Sequence, residues 1–344
     1  MMIKQKQIIL SILSIFILVL LIGGCLNLNT SNKDYSPGDH TGSITVDGLE
    51  RSYLIHIPSS YNKTKKIPLV IALHGGGGSG KNMEKLTLGG FNILSDKEGF
   101  IVVYPDGIEN HWNDGRGVQR YRAQRENIDD VGFISALIDY LVEKYNIDEK
   151  RVYVTGMSNG AFMSYRLACE LSEKIAAIAP VAGAIPENIA LSCSPSRPIS
   201  VLIINNVEDP MVPWEGGELR FGSLRLGKVL SVSSTVKYWV THNNCSSSPI
   251  ITWEPDIDPQ DGTRVWKEVY GHGKNGTEVI LYGIEGGGHT WPNGYQYMSE
   301  QIIGKTSRDI DANEIIWNFF QEALMKRLHI LNYVKFQFQL RHKI

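Results

Sequence analysis

The chain has 344 residues, 42% hydrophobic and 20% charged, an ordinary globular composition with room for one large α/β domain or two small ones. A formal net charge of −2 gives no electrostatic footprint for nucleic acid, so no nucleic-acid partner is expected. The four cysteines form no CxxC or His-Cys cluster, so no metal site is expected and no cofactor is called for.

At the N-terminus, Lys4 and Lys6 precede an uncharged apolar run from Ile8 to Ile22, then Gly23-Gly24-Cys25. Residues 1–24 read as a secretory signal, the run being shorter than the roughly 20 apolar residues that a spanning helix needs. Ile22-Gly-Gly-Cys25 resembles a bacterial lipobox, which implies cleavage before Cys25, lipidation of its sulfur and a membrane partner through that anchor. The alternative is an uncleaved anchor with Cys25 there by chance; both readings place the domain outside the cytoplasm. Residues 25–42, polar and glycine-containing, read as the tether. Among the other cysteines, Cys169 and Cys193 are expected to pair across one helix-loop unit, leaving Cys245 free.

Residues 43–324 read as a single domain in which strands alternate with helices, the pattern of a mostly parallel sheet. Ser43 to Val46 and Arg51 to Ile57 flank an Asp47-Gly48 turn, and Ile67 to Leu73 is apolar enough for a strand covered on both faces. Phe91 to Glu98 reads as a helix, Phe100 to Tyr104 as a strand, and Glu109 to Asn127 as a long surface loop. Asp129 or Asp130 caps a helix with an apolar stripe at Ile134, Leu137, Ile138, Leu141, Val142 and Tyr145. Further strands follow at Ile175 to Val181, Ile199 to Ile204 and Glu278 to Tyr282. Helices are expected at Val232 to His242 and Asp309 to Leu324, and residues 325–344 read as a basic, solvated tail.

The chemistry centres on Val152-Tyr-Val-Thr-Gly-Met-Ser-Asn-Gly160. A short β-branched run leads into G-x-S-x-G, and a helical pattern follows from Ala161. That is the nucleophile elbow, a sharp strand-to-helix turn that lifts Ser158 Oγ above the sheet. The bland reading is a polar turn capping an ordinary helix. A serine hydroxyl needs a base to take its proton and a carboxylate to orient that base. In this fold class the order is Ser, then Asp or Glu, then His. The strand ending at Ile204 runs into Asn205-Asn-Val-Glu-Asp209, offering Asp209 with Glu208 as rival, and the last strand leads to Glu285-Gly-Gly-Gly-His289. An oxyanion hole would use the amide of Asn159 and one from His74-Gly-Gly-Gly77, with Gly76 and Gly77 both open. A phosphate cradle is the alternative for that glycine run, but Lys81 is followed by Asn82 rather than the Ser or Thr of a P-loop.

With these residues in place the chain resembles the polyhydroxybutyrate depolymerase-like and feruloyl esterase-like (carbohydrate esterase family 1-like) esterases. The stretches that carry the likeness are Leu73-His-Gly-Gly-Gly77, Asp129-Asp-Val-Gly-Phe133, Arg151 to Ala161, Asp209-Pro-Met-Val-Pro213 and Gly286-Gly-Gly-His-Thr-Trp-Pro292. The resemblance implies an α/β-hydrolase fold and a secreted or membrane-anchored esterase. In it Ser158 is the nucleophile, His289 the base and Asp209 its partner, and the substrate is an aryl, acetyl or hydroxyalkanoate ester, possibly polymeric. Such esterases often bridge the Cys245 region to a cysteine after a Tyr-x-Gly turn; Tyr270-Gly-His272 lacks it here. His74, Trp112, Trp214 and Trp291 are candidate pocket residues, with core packing the equal alternative for the tryptophans. A prolyl-peptidase-type hydrolase and a non-catalytic binding protein on the same scaffold are the competing functions. The ester itself is not legible.

Overall fold

Two consecutive left-handed residues, Asp47 (φ 51°) and Gly48 (φ 76°), turn the chain between strands β1 (Gly38–Val46) and β2 (Leu49–Ile57). This two-residue loop matches the twist of the strands it joins and sets Val46 opposite Leu49. The computed structural model describes the backbone of residues 36–341 and the side chains of residues 36–326. The expected signal and Cys25 lie outside the described residues, and the last part of the expected tether, from Gly38, belongs instead to β1.

Six parallel strands form the middle of the sheet: β3 (Ile67–Leu73), β4 (Ile101–Pro105), β5 (Ile147–Met157), β6 (Ala177–Val181), β7 (Ser200–Asn206) and β12 (Val279–Glu285). β3, β4, β6 and β7 are buried along their whole length, as near-continuous apolar runs require. Antiparallel strands close both edges, giving the order β1-β2-β4-β3-β5-β6-β7-β12-β11-β10, where β10 is Ile250–Trp253 and β11 is Arg264–Tyr270. This is the α/β-hydrolase fold, and residues from Ser36 onward form one compact unit. The chain steps outward from β3 to β4 on one side and from β5 to β6 on the other. The loops leaving β3 and β5 therefore diverge, and a crevice opens between their carboxyl ends.

Alternate residues of β5 face opposite sides of the sheet. Tyr153 stacks on Phe320 at 4.6 Å, and beside it Phe100 stacks on Trp317 at 4.0 Å, which docks the helix Ala312–Arg341. That helix runs on past Leu324, because no glycine or proline interrupts the sequence up to Arg341. The helix Asp130–Tyr145 is capped by Asp129, whose side chain accepts from Gly132 N, and it buries Ile134, Leu137, Ile138 and Leu141 as the stripe predicts.

Other parts of the chain are more regular than expected. A short helix, Gly80–Leu86, starts directly after the glycine run, and a hairpin of β8 (Gly217–Phe221) and β9 (Leu224–Val229) lies in a stretch expected to be loop. Its strands do alternate, Leu219 and Phe221 with Glu218 and Arg220, then Leu224 and Leu226 with Arg225, about a Gly222-Ser223 turn, so the hairpin signal is present in the sequence. Cys169 and Cys193 form a disulfide and Cys245 is free. Among the described residues no helix is long and apolar enough to cross a membrane.

Candidate active site

Ser158 has φ 56° and ψ −116°, a conformation that a non-glycine residue adopts only when its surroundings impose it. The surroundings do. Ser158 N donates to Val181 O at 3.0 Å, and Leu73 pairs with Gly156 in register, so the elbow stands beside the end of β3. A Cβ on Gly160 would lie 2.2 Å from Leu73 O, which only glycine avoids. The helix Asn159–Glu170 has no side-chain cap at its start. Its first amides, that of Asn159 foremost, stay available as donors at the positive end of the helix dipole.

Gly75 lies against the serine: a Cβ there would be 3.6 Å from Ser158 Cβ. Of the two open candidates in this loop, Gly77 N already donates to Asn110 O at 2.8 Å, whereas Gly76 N has no acceptor among the described residues. The hydrogen-bond pattern thus favours Gly76 over Gly77 as a donor to anything bound above Ser158. His74 anchors the loop from beneath: its Nδ1 donates to Gly75 O at 2.8 Å and its Nε2 accepts from Gly107 N at 2.9 Å. Burial lowers its pKa to about 4, so the imidazole is neutral and both nitrogens are used inside the protein.

The two acidic candidates separate cleanly. Asp209 is buried; its Oδ2 pairs with His289 Nδ1 at 2.7 Å, and its Oδ1 accepts from Met211 N and Val212 N, both at 2.8 Å. Glu208 is exposed and takes Gly286 N at 2.6 Å, so it steadies the glycine loop instead. With Nδ1 engaged, His289 Nε2 is the ring nitrogen left for the cavity. The loop holding it is tight: a Cβ on Gly288 would lie 2.1 Å from Ile303 O, and Tyr297 Oη donates to His289 O at 3.0 Å.

Ser158, Asn159, His289, Gly76 and His74 line one cavity of 850 Å³. The three tryptophans expected in that pocket do not line it. Trp112 is buried with Nε1 donating to His74 O at 3.0 Å, Trp291 is buried with Nε1 on Asn313 Oδ1 at 3.2 Å, and Trp214 packs on Trp266 with centroids 5.5 Å apart. Tyr121, Phe221, Tyr295 and Tyr297 supply the aromatic surface instead. Tyr121, Tyr295 and Tyr297 lie in loops without a periodic signal, and Phe221 lies in the separate two-stranded hairpin.

The stretch Glu109 to Asn127 is not the solvated loop its polarity suggests. Trp112 N donates to Asn159 Oδ1 at 2.8 Å, and Asn159 Nδ2 donates to Asp114 Oδ2, tying the loop to the elbow. Asp114 holds Arg116 through Nε at 2.8 Å, and the Arg116 guanidinium lies 4.3 Å above the Phe162 ring. Asp130 bonds Arg51 at 2.6 Å and Asn113 N at 2.6 Å. The Asp129 to Phe133 motif is therefore architectural, bracing the loop that covers the site. Among the described residues no group of His, Cys, Asp and Glu could hold a metal ion.

The family model "Esterase PHB depolymerase" matches residues 51–196. The chain is 29% identical over 283 residues to a protein named "Putative esterase NocK" from Nocardia uniformis subsp. tsuyamanensis, covering 80% of each. It is 29% identical over 250 residues to "Feruloyl esterase B" of Piromyces equi, covering 71% of this chain and 43% of that protein, so it spans less than half of the latter's length. An acetyl xylan esterase structure from Aspergillus awamori shares 20% identity at a TM-score of 0.49, covering 73% of this chain and 94% of that one. Asp209 and His289 fall beyond the matched range, and Ser158 and the glycine run fall within it. Over residues 51–196 the chain is thus similar to the Esterase PHB depolymerase family, the family that the resemblance in the sequence points to.

Proposed function

We propose that the protein is an extracytoplasmic serine esterase that hydrolyses carboxylic esters through an acyl-enzyme. The observation that carries this reading is the buried Asp209–His289 pair at 2.7 Å, whose histidine lines, with Ser158, a cavity that the strained elbow also borders. Ser158 Oγ attacks the ester carbonyl carbon while its proton passes to His289 Nε2. The amides of Asn159 and Gly76 hold the developing oxyanion. His289 then gives its proton to the departing alkoxide, and a water repeats the sequence in reverse to free the acid and restore Ser158. Asp209 keeps Nδ1 protonated and the ring oriented throughout.

The acyl group belongs to the hydroxyalkanoate, feruloyl or acetyl class, a reading supported by the family's description and by relatives named as feruloyl and acetylxylan esterases. A lipid on Cys25 would hold the enzyme at a membrane surface. The test is hydrolysis of a short chromogenic acyl ester by the wild type and by Ser158→Ala. The variant should lose about 10⁴-fold or more in kcat if the three side chains act as a unit; wild-type turnover by Ser158→Ala would overturn the assignment.

A further inference from the structure

We infer that the cavity above Ser158 selects esters that carry a carboxylate, with Lys85 and Arg120 as the groups that receive it; this rests on the esterase reading above. The cavity is lined by four cationic side chains, Lys85, Arg116, Arg120 and Arg122, and by one carboxylate, Glu109. The chain as a whole is net acidic, at −2, so the excess is local.

Two of the four cations are already neutralised. Arg116 is held by the buried Asp114 at 2.7 Å, and its Nη1 donates to Leu226 O at 2.8 Å. Arg122 bonds Glu126 at 2.8 Å and reaches Glu109 at 3.5 Å, which accounts for the sole acid in the lining. Arg120 is exposed and has no carboxylate or hydrogen-bond partner among the described residues. Lys85 is exposed too, and its ammonium rests 4.7 Å from the centre of the Tyr295 ring with no carboxylate beside it.

The two uncompensated cations come from different elements, Lys85 from the helix Gly80–Leu86 and Arg120 from the loop braced against Asn159. Arg120 has no ion pair or hydrogen bond among the described residues, and Lys85 contacts only the Tyr295 ring, which itself lines the cavity, and the end of its own helix. A cleft lined by one sign of charge concentrates ligands of the opposite sign and raises their association rate. His111, also in the lining, adds no charge near neutrality: burial lowers its pKa, and Nδ1 is committed to Glu109 O at 3.0 Å. The remaining wall is apolar or aromatic, with Leu224, Leu226 and Phe221, and suits the uncharged body of such an ester.

The test uses two matched pairs of aryl esters, with phenol release as the readout. In the first pair the acyl chain ends in a carboxylate or in the isosteric carboxamide. In the second the same butyryl group is carried by 4-hydroxybenzoate or by 4-hydroxybenzamide. A preference in the first pair places the charge on the acyl side, and one in the second places it on the alcohol side. For at least one pair, kcat/KM at low salt should favour the carboxylate by about 10-fold or more and fall toward equality near 1 M salt, where the screening length is about 3 Å. The double variant Lys85→Gln, Arg120→Gln should bring that ratio to about one, and Arg120→Lys should keep most of it. The ratio is taken within each variant, so partial loss of folded protein cancels. Equal or lower kcat/KM for both carboxylates overturns the inference while leaving the esterase reading intact. Absence of turnover with all four esters removes the esterase reading and this inference with it.

Discussion

Glu208 and Asp209 are adjacent in sequence yet serve different loops: Asp209 Oδ2 takes His289 Nδ1 at 2.7 Å, and Glu208 Oε2 takes Gly286 N at 2.6 Å. Burial follows the same division, since the Asp209 side chain is fully enclosed and Glu208 is exposed. Asp209→Asn should therefore cut kcat by about 10⁴-fold, because an amide no longer fixes the productive tautomer of the imidazole. Glu208→Gln should change kcat by less than about 10-fold, since an amide oxygen still accepts from Gly286 N. Steady-state kinetics on one chromogenic ester compares the two directly.

The close approach at Gly288 predicts damage without any loss of chemical groups. Alanine there would drive its Cβ to 2.1 Å from Ile303 O, which is backbone and cannot rotate away. Gly288→Ala should lower stability by about 1–3 kcal/mol and displace His289 as the loop shifts. Thermal melting and kcat, measured on the same sample, should both fall.

Asp114→Ala should unfold the cover over the site. It would leave the buried Arg116 guanidinium without a carboxylate and remove one of the two acceptors of Asn159 Nδ2, the other being Trp112 O. Removing one partner of a buried ion pair costs about 3–5 kcal/mol. Urea denaturation should show that loss, and the doubly substituted Asp114→Asn, Arg116→Met protein should recover part of it.

Acid should weaken the fold through His74. Its pKa in the folded chain is lowered to about 4 by burial, against an ordinary value near 6.5 when unfolded. Below pH 6.5 the unfolded chain binds a proton that the folded chain refuses, so the contribution is complete above 6.5 and is lost as pH falls toward 4. The loss is on the order of 3 kcal/mol, and His111, shifted in the same direction, adds to it. Urea midpoints at pH 7 and pH 4.5 should differ accordingly, and His74→Gln should flatten the dependence even while lowering stability at pH 7.

Opening the Cys169–Cys193 disulfide, which closes a separation of 24 residues, should cost about 3 kcal/mol. Cys245 offers no substitute, since burial raises its thiol to about 11 and keeps it protonated near neutrality. Melting with and without reductant measures the first effect, and slow alkylation of Cys245 in the folded protein checks the second.

The parts of the molecule that were legible in sequence are those where one physical demand dominates. β3 had to be apolar throughout because both faces are covered, and the Asp130–Tyr145 stripe had to repeat at helical spacing because one face is. Asp209, His289 and the elbow stand at strand ends, where the topology allows few positions. Apart from Phe221, Leu224 and Leu226 of the alternating hairpin, the cavity wall obeys no such period. Trp291 follows His289 closely and Trp112 lies in a loop at a strand end, positions that suit a pocket or core packing equally; each buries its ring and hands its indole N–H to an internal acceptor. The loop around Asn113 looked solvated because its polar groups bond partners distant in sequence, Asp130 and Asn159 among them. Only the fold brings those partners within reach.

Ser158 is the residue on which the proposed chemistry turns, and its reactivity can be read by mass. Incubation with a fluorophosphonate should add one phosphonyl group to the intact protein, map to the peptide containing Ser158, and vanish in Ser158→Ala. Phosphonylation of a different serine at wild-type rate in that variant, or no adduct on the active wild-type enzyme, would contradict the assignment of Ser158 as the nucleophile.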